Sequence, residues 1–159
     1  MAEQRPGKPM SDPLRFEKRP FPPTQEARKG RSLRILLVED HADSAEAMIA
    51  IMDRKNHRVQ WVATGAAAVA TLDRAAQNTL PDVIILDLML PDMSGVEVIQ
   101  ELRHEHGALP PVVVLSAKPL ATIRAEAQVI GASAFLRKPF SIDDLLNAVD
   151  SASRPARTP

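Results

Sequence analysis

Three short apolar runs, each ending on a polar residue, constrain this chain more than any other feature. Ile35–Val38 runs into Glu39 and Asp40, Val83–Leu86 into Asp87, and Val112–Leu115 into Ser116. Continuous aliphatic runs of this length leave no face for water, so each reads as a strand buried on both sides of a sheet. Val59, Trp61 and Val62 predict a weaker strand at an edge, and Ala134–Leu136 predicts a fifth strand.

Helical patterns fill the gaps. Ala45, Met48, Ile49 and Met52 recur at helical spacing, as do Ile142, Leu145, Leu146 and Val149. Ser141 with Asp144 forms a capping-box pattern ahead of the latter set. The Ala-rich segment 65–76, Val96–Leu102 and Ile123–Ile130 predict three more helices, and Gly131 a stop for the last of these. Strand then helix, repeated within 34–152, implies a doubly wound α/β domain with a parallel sheet covered by helices on both faces.

The flanks differ in texture. Six of the 14 Pro lie before position 34, with two aromatics and no apolar periodicity. Such a stretch buries too little surface to offset its ordering entropy, so 1–32 reads as a disordered, Pro-rich basic tail. A solvated extension is favoured over a docking segment. The foldable domain is then 33–153, with 154–159 a short C-terminal tail. The whole chain balances 20 basic against 20 acidic residues. Locally, 1–33 carries +4, 34–152 carries −6 and the last seven carry +2. The absence of Cys excludes disulfides and Cys-based zinc. No apolar stretch is long enough to span a bilayer and no secretory signal is evident, so a cytoplasmic location, with no membrane or nucleic-acid partner, is expected.

In an open parallel sheet, ligands bind outside the carboxyl ends of the strands. Glu39, Asp40, Asp87 and Ser116 all lie there, and Lys138 follows the fifth strand. Three neighbouring carboxylates repel one another, and a hard cation such as Mg²⁺ relieves that repulsion through oxygen ligands. With the charge relieved, an Asp can attack phosphorus and carry an acyl phosphate. Lys138 would neutralise one phosphoryl oxygen and the Ser116 hydroxyl would donate to another. Phosphoryl transfer asks mainly for such positioning and charge stabilisation.

The segments ILLVED (35–40), DVIILDLMLPDMSG (82–95), VVVLSAK (112–118) and GASAFLRKPF (131–140), in this order, resemble the receiver domain of two-component response regulators, the CheY-like family. The resemblance implies a flavodoxin-like (βα)₅ fold with strand order 2-1-3-4-5. It implies Asp87 as phosphoacceptor and Glu39, Asp40, Asp87 and the Met89 carbonyl as Mg²⁺ ligands. Ser116 matches the switch hydroxyl, and Ala117 would contact the phosphoryl group through its N–H. Lys138 matches the phosphate-binding lysine, Pro139 would follow a cis peptide bond, and Phe135 matches the switch aromatic. Pro91 and Gly95 match the loop after the phosphorylated strand.

Each residue also has a plainer reading. Glu39 and Asp40 would suit a helix N-terminus. Asp82 and Asp92 read as loop acids, Trp61 as a packing residue, and His41, His57, His104 and His106 as surface or capping groups. Some positions depart from family usage. Phe135 lacks the hydroxyl of the frequent Tyr, and His41 stands where Asn or Asp often follows the acidic pair. Met89 and Lys118 cannot polarise water as an acid or amide does, which implies slow loss of the phosphoryl group.

The resulting expectation is a stand-alone response regulator, not an enzyme apart from its own phosphorylation and slow dephosphorylation. A sensor histidine kinase or phosphotransfer protein would supply the phosphoryl group. No output domain follows, so the target is expected to be a protein meeting the face of the fourth helix, fifth strand and fifth helix, with the domain a monomer or a phosphorylation-dependent dimer. A relay or phosphate sink is an equal use of the same chemistry. The alternatives are a phosphorylation-independent interaction module and an aspartyl-phosphate hydrolase. Met89, where such hydrolases commonly carry a second Asp, argues against the hydrolase.

Overall fold

The structure, a computed structural model, describes residues 31–155. The expected tails, apart from Arg31, Ser32, Arg154 and Pro155, lie outside the described residues. Five strands alternate with five helices: β1 (Arg34–Val38), α1 (Ala42–Arg54), β2 (Arg58–Val62), α2 (Gly65–Asp73), β3 (Val83–Asp87), α3 (Gly95–His106), β4 (Val112–Ser116), α4 (Leu120–Ile130), β5 (Ala134–Arg137) and α5 (Ile142–Ser153). A 3₁₀ turn, Gln77–Thr79, precedes β3. All strand pairs are parallel, in the order β2-β1-β3-β4-β5. This is the flavodoxin-like, CheY-like arrangement expected from the sequence.

Strand side chains alternate between two cores, as the strand period of two requires. Leu36, Val38, Ile84, Leu86, Val112 and Val114 pack with Leu72 of α2, Ile99 of α3 and Ile123 of α4. Ile35, Leu37, Val83, Ile85, Val113 and Leu115 face the other way, against Met52 of α1 and Leu145 of α5. Both faces are covered, which is why the runs carry no polar alternation.

The helix ends follow local chemistry. Ser141 accepts from the Asp144 N–H at 3.0 Å, completing the capping box, and Gly131 ends α4 with φ +66°. Among the boundaries that differ from expectation, α4 begins three residues before Ile123, at Leu120. α3 runs beyond Leu102 to His106, because Arg103, His104 and His106 suit the negative end of the helix although they break the apolar pattern. α2 stops at Asp73 instead of 76, where the Ala75 N–H closes a tighter turn onto the Leu72 carbonyl at 3.1 Å.

Two acids read as loop residues are structural. Asp82 accepts from the Arg34 N–H at 2.8 Å, while its own N–H donates to the Arg34 carbonyl at 2.7 Å, so it ties the start of β3 to that of β1. Asp92 accepts from the N–H groups of Gly65 and Ala66 at 2.9 and 2.8 Å, bracing the N-terminus of α2. Burial opposes its charge, but the backbone donors Ala66, Gly65, Asp92 and Met93 outweigh that and hold its carboxyl below the usual range.

His57 is likewise structural and not a surface group. Its Nδ1 accepts from the Leu33 N–H at 3.2 Å, and the Arg58 N–H donates to the Leu33 carbonyl at 2.7 Å. Burial lowers its pKa below the ordinary 6.5, with Asp150 opposing and Lys55 adding to the effect. The unfolded chain therefore takes up this proton more readily than the folded one. The stability that neutral His57 contributes is complete above about pH 6.5 and declines as pH falls below it. Urea midpoints of the wild type should drop between about pH 7 and pH 5, and His57→Gln should flatten part of that slope. Identical slopes would contradict this assignment.

Candidate functional site

The sheet brings distant residues to one rim. Val38 pairs with Leu86 and Asp87 with Leu115, so the residues that end β1, β3 and β4 stand side by side. Glu39 is 0% exposed, Asp87 4% and Ser116 0%. Lys138, one residue beyond β5, is fixed by its N–H donating to the Ser116 carbonyl at 2.8 Å. Its Nζ donates to Asp87 Oδ2 at 2.7 Å and to Glu39 Oε2 at 2.8 Å. One ammonium thus joins residues 99 and 51 positions away. Burial disfavours its charge, but the hydrogen bonds and charges of Asp87 and Glu39 outweigh that and raise its pKa above 10.5. The Lys138–Pro139 peptide is cis.

The other oxygen of Asp87, Oδ1, accepts from the Met89 N–H at 2.8 Å. The loop beyond it folds back tightly. Met89 and Ser94 form an antiparallel bridge, and the Gly95 N–H donates to the Leu88 carbonyl at 3.0 Å. A Cβ at Gly95 would stand 2.9 Å from both the Asp87 carbonyl oxygen and the Leu88 Cα. Both obstacles are backbone, so glycine is what allows α3 to begin against the end of β3. Ser94 and Glu97 close a capping box there, a Ser-x-x-Glu pattern visible in the sequence.

A cleft of ≈ 570 Å³ opens over this rim. Asp40, Asp87, Met89, Ala117 and Lys138 line it, with Pro91 at one side. Three further residues, His41, Ser44 and Leu90, also line it. By sequence His41 reads as a surface or capping group, and no motif marks Ser44. His41 occupies the N-cap position of α1 without a side-chain capping bond. Its Nδ1 lies 3.3 Å from Glu39 Oε1 and 3.1 Å from Asp40 Oδ1. Glu39 itself lies beneath the cleft, held by Lys138 and by the His41 N–H at 3.1 Å. Trp61, buried as expected, donates its indole N–H to the Glu39 carbonyl at 2.7 Å.

The two switch residues of the sequence-derived set, Ser116 and Phe135, lie off the cleft. Ser116 Oγ accepts from the Lys118 N–H at 3.1 Å, and Lys118 Nζ is paired with Glu126 of α4 at 2.8 Å. Phe135 is half-buried against the core under α2, α3 and α4.

A hard divalent cation fits the donor set. Asp40 Oδ1 is buried and has no hydrogen-bond partner; the neighbouring His41 Nδ1, although close, is out of hydrogen-bonding alignment with it. An orphaned buried carboxylate oxygen is costly unless a cation satisfies it. Ligand atoms of Glu39, Asp40 and His41 all fall within 4.8 Å of one another.

Comparison with known proteins identifies the family of the α/β unit. A family profile described as "Response regulator receiver domain" matches residues 35–150. The transcriptional regulatory protein KdpE of Mycobacterium tuberculosis is 37% identical over 120 residues, covering 76% of this chain and 50% of that protein. The probable transcriptional regulatory protein TcrX of the same species is 34% identical over 117 residues, covering 74% and 48%. The chain therefore spans about half the length of these relatives. Among solved structures, the receiver domain of a sensor histidine kinase from Pseudomonas aeruginosa PAO1, with a magnesium ion coordinated in its active site cleft, superposes with a TM-score of 0.67. It is 29% identical, covering 77% of this chain and 98% of that one. The signal receiver domain of a LuxO repressor protein from Vibrio parahaemolyticus gives a TM-score of 0.67 at 30% identity, covering 77% and 90%. The profile spans most of the chain and coincides with the whole α/β unit, and on that ground the chain belongs to the response regulator receiver domain family of two-component systems.

Proposed function

We propose that this receiver domain accepts a phosphoryl group on Asp87 from a phosphohistidine of a sensor kinase or phosphotransfer protein, and thereby switches a protein-binding face. The observation that carries the reading is Lys138 Nζ, which holds a nearly buried Asp87 at the mouth of an acidic cleft. In the transfer, an Asp87 oxygen forms a bond to phosphorus as the phosphorus–nitrogen bond breaks, and the released imidazole takes up a proton. The Met89 N–H orients one carboxylate oxygen and Lys138 the other. Lys138, whose pKa is raised, stays protonated and follows the negative charge onto a phosphoryl oxygen. Ser116 exchanges its bond with the Lys118 N–H for donation to a second oxygen, and the Ala117 N–H reaches a third. Held by Glu39, Asp40, Asp87 and the Met89 carbonyl, Mg²⁺ would neutralise phosphoryl charge as a Lewis acid.

Drawing Ser116 toward the cleft frees space near Phe135, whose repacking shifts the balance between two pre-existing states. The readout face is α4, β5 and α5, where Leu120, Val129 and Ile142 are exposed apolar side chains. A protein target, or a second copy of the domain, is the partner in this reading, with 33–153 as the receiver. Among the described residues no helix is long and apolar enough to cross a membrane, and the reading places the domain in the cytoplasm.

Three outcomes are expected. A small acyl phosphate donor with Mg²⁺ should add the mass of one phosphoryl group to the wild type and none to Asp87→Asn. Absence of that gain would overturn the reading. Lys138→Met strips the counter-charge from two buried carboxylates and should cost about 2–3 kcal/mol in urea unfolding with chelator present, a loss that Mg²⁺ partly recovers. The third concerns lifetime. Met89 and Lys118 bring no acid or amide to an attacking water, and Lys118 is engaged by Glu126. The phosphorylated form should persist for minutes or longer, whereas decay within seconds would contradict the assignment.

A further inference from the structure

We propose that His41 is a nitrogen ligand to the cation of the acidic cleft, so that the site binds a d-block ion such as Ni²⁺ more tightly than its oxygen donors alone would. The proposal rests on the reading that Glu39 and Asp40 hold a divalent cation. It goes further by assigning a ligand and a metal preference.

Three observations carry it. First, His41 Nδ1 stands 3.1 Å from Asp40 Oδ1 and 3.3 Å from Glu39 Oε1. Ligands about 2.1 Å from one ion stand about 3.0–3.4 Å apart at octahedral to tetrahedral angles. The Glu39 contact is also a hydrogen bond, which holds the imidazole over the carboxylates, and both separations match those of atoms that share an ion. Second, the imidazole does not cap α1, although it occupies the N-cap position. It is turned toward the carboxylates instead. Third, Asp40 Oδ1 is buried without a hydrogen-bond partner despite the nearby ring nitrogen. That oxygen needs a cation, and the ring nitrogen beside it is a donor of a different kind.

Mg²⁺ takes oxygen ligands and dehydrates reluctantly, so an imidazole adds little to its binding. Nickel, zinc and copper ions favour imidazole, and their affinity rises with each nitrogen donor. A His in this position therefore separates the two classes of metal, where an oxygen-bearing residue would not. The side chain is 73% exposed, so replacing it leaves the core intact.

The test uses the full chain and Trp61, its single tryptophan, whose indole N–H donates to the Glu39 carbonyl. Wild type, His41→Ala, His41→Asn and Asp40→Asn would be titrated with Mg²⁺ and separately with Ni²⁺, reading Trp61 fluorescence and calorimetric heat. His41→Ala should weaken Ni²⁺ about tenfold or more and leave Mg²⁺ within about twofold. His41→Asn, with a hard amide oxygen, should lose Ni²⁺ affinity as His41→Ala does. Asp40→Asn should weaken both metals. Unchanged Ni²⁺ affinity in His41→Ala, or an equal fall for both metals, would overturn the assignment while leaving the cation cleft in place. A wild type that binds neither metal would overturn the cation reading and this proposal together.

Discussion

A single ammonium holds two buried carboxylates at the top of this sheet, and much of the rim is arranged around that contact. Lys138 Nζ meets Glu39 and Asp87 at 2.8 and 2.7 Å, with both acids almost wholly out of water. Two desolvated carboxylates side by side repel one another. The lysine offsets that, at the cost of its own desolvation, and the balance leaves its charge more firmly held than in water. Yet one lysine cannot neutralise three acids. The remaining negative charge is what makes the cleft receptive to a cation, and a cation is what lets an anionic phosphoryl group approach a carboxylate.

The parallel sheet makes this contact possible from residues far apart in the chain. Each strand contributes its last residue to the same edge, so a rim builds from single positions after β1, β3, β4 and β5. The two cores on either side fix the register, since a one-residue slip would turn Ile35 and Leu37 onto the face of Leu36 and Val38. Close approach at Gly95 then sets how near α3 comes to the end of β3. Packing energy in the strands is thereby converted into placement of side chains at their ends.

This explains which parts were legible in the sequence. The strands were readable because a fully buried parallel strand has an unmistakable run of aliphatic residues, and Asp87 was readable because it interrupts such a run. Lys138 could be placed only through the expected sheet, as the residue that follows its fifth strand, since no local spacing links it to a residue 51 positions earlier. His57, Asp82 and Asp92 were misread for a related reason. Their partners are backbone N–H groups 24 to 48 residues away, and every sequence offers backbone donors everywhere. The end of α3 was missed because its last turn is held by helix-terminal charge and not by apolar spacing. Cap signals at Ser141 and Gly131 are local, and they were read correctly.

The two ends of the sheet treat their acids differently, and the difference locates the chemistry. At the amino ends, Asp82 is met by the Arg34 N–H and by the nearby side chains of Arg31 and Arg34. Its charge is met wholly within the fold, which suits a structural tie. At the carboxyl ends, Glu39 and Asp87 share one lysine, and Asp40 keeps a buried oxygen with no hydrogen-bond partner. A fold with no use for that oxygen would gain by pairing or replacing it. The other buried side-chain atom without a hydrogen bond among the described residues, Arg34 Nε, faces the Asp82 carboxylate at 3.6 Å, whereas Asp40 Oδ1 is a carboxylate oxygen beside an open cleft, and that placement is a stronger pointer to function than the number of acids gathered there. The same reasoning gives His41 its interest: it stands beside the oxygen the protein leaves unpaired, and it carries the one donor in that cluster that is not oxygen.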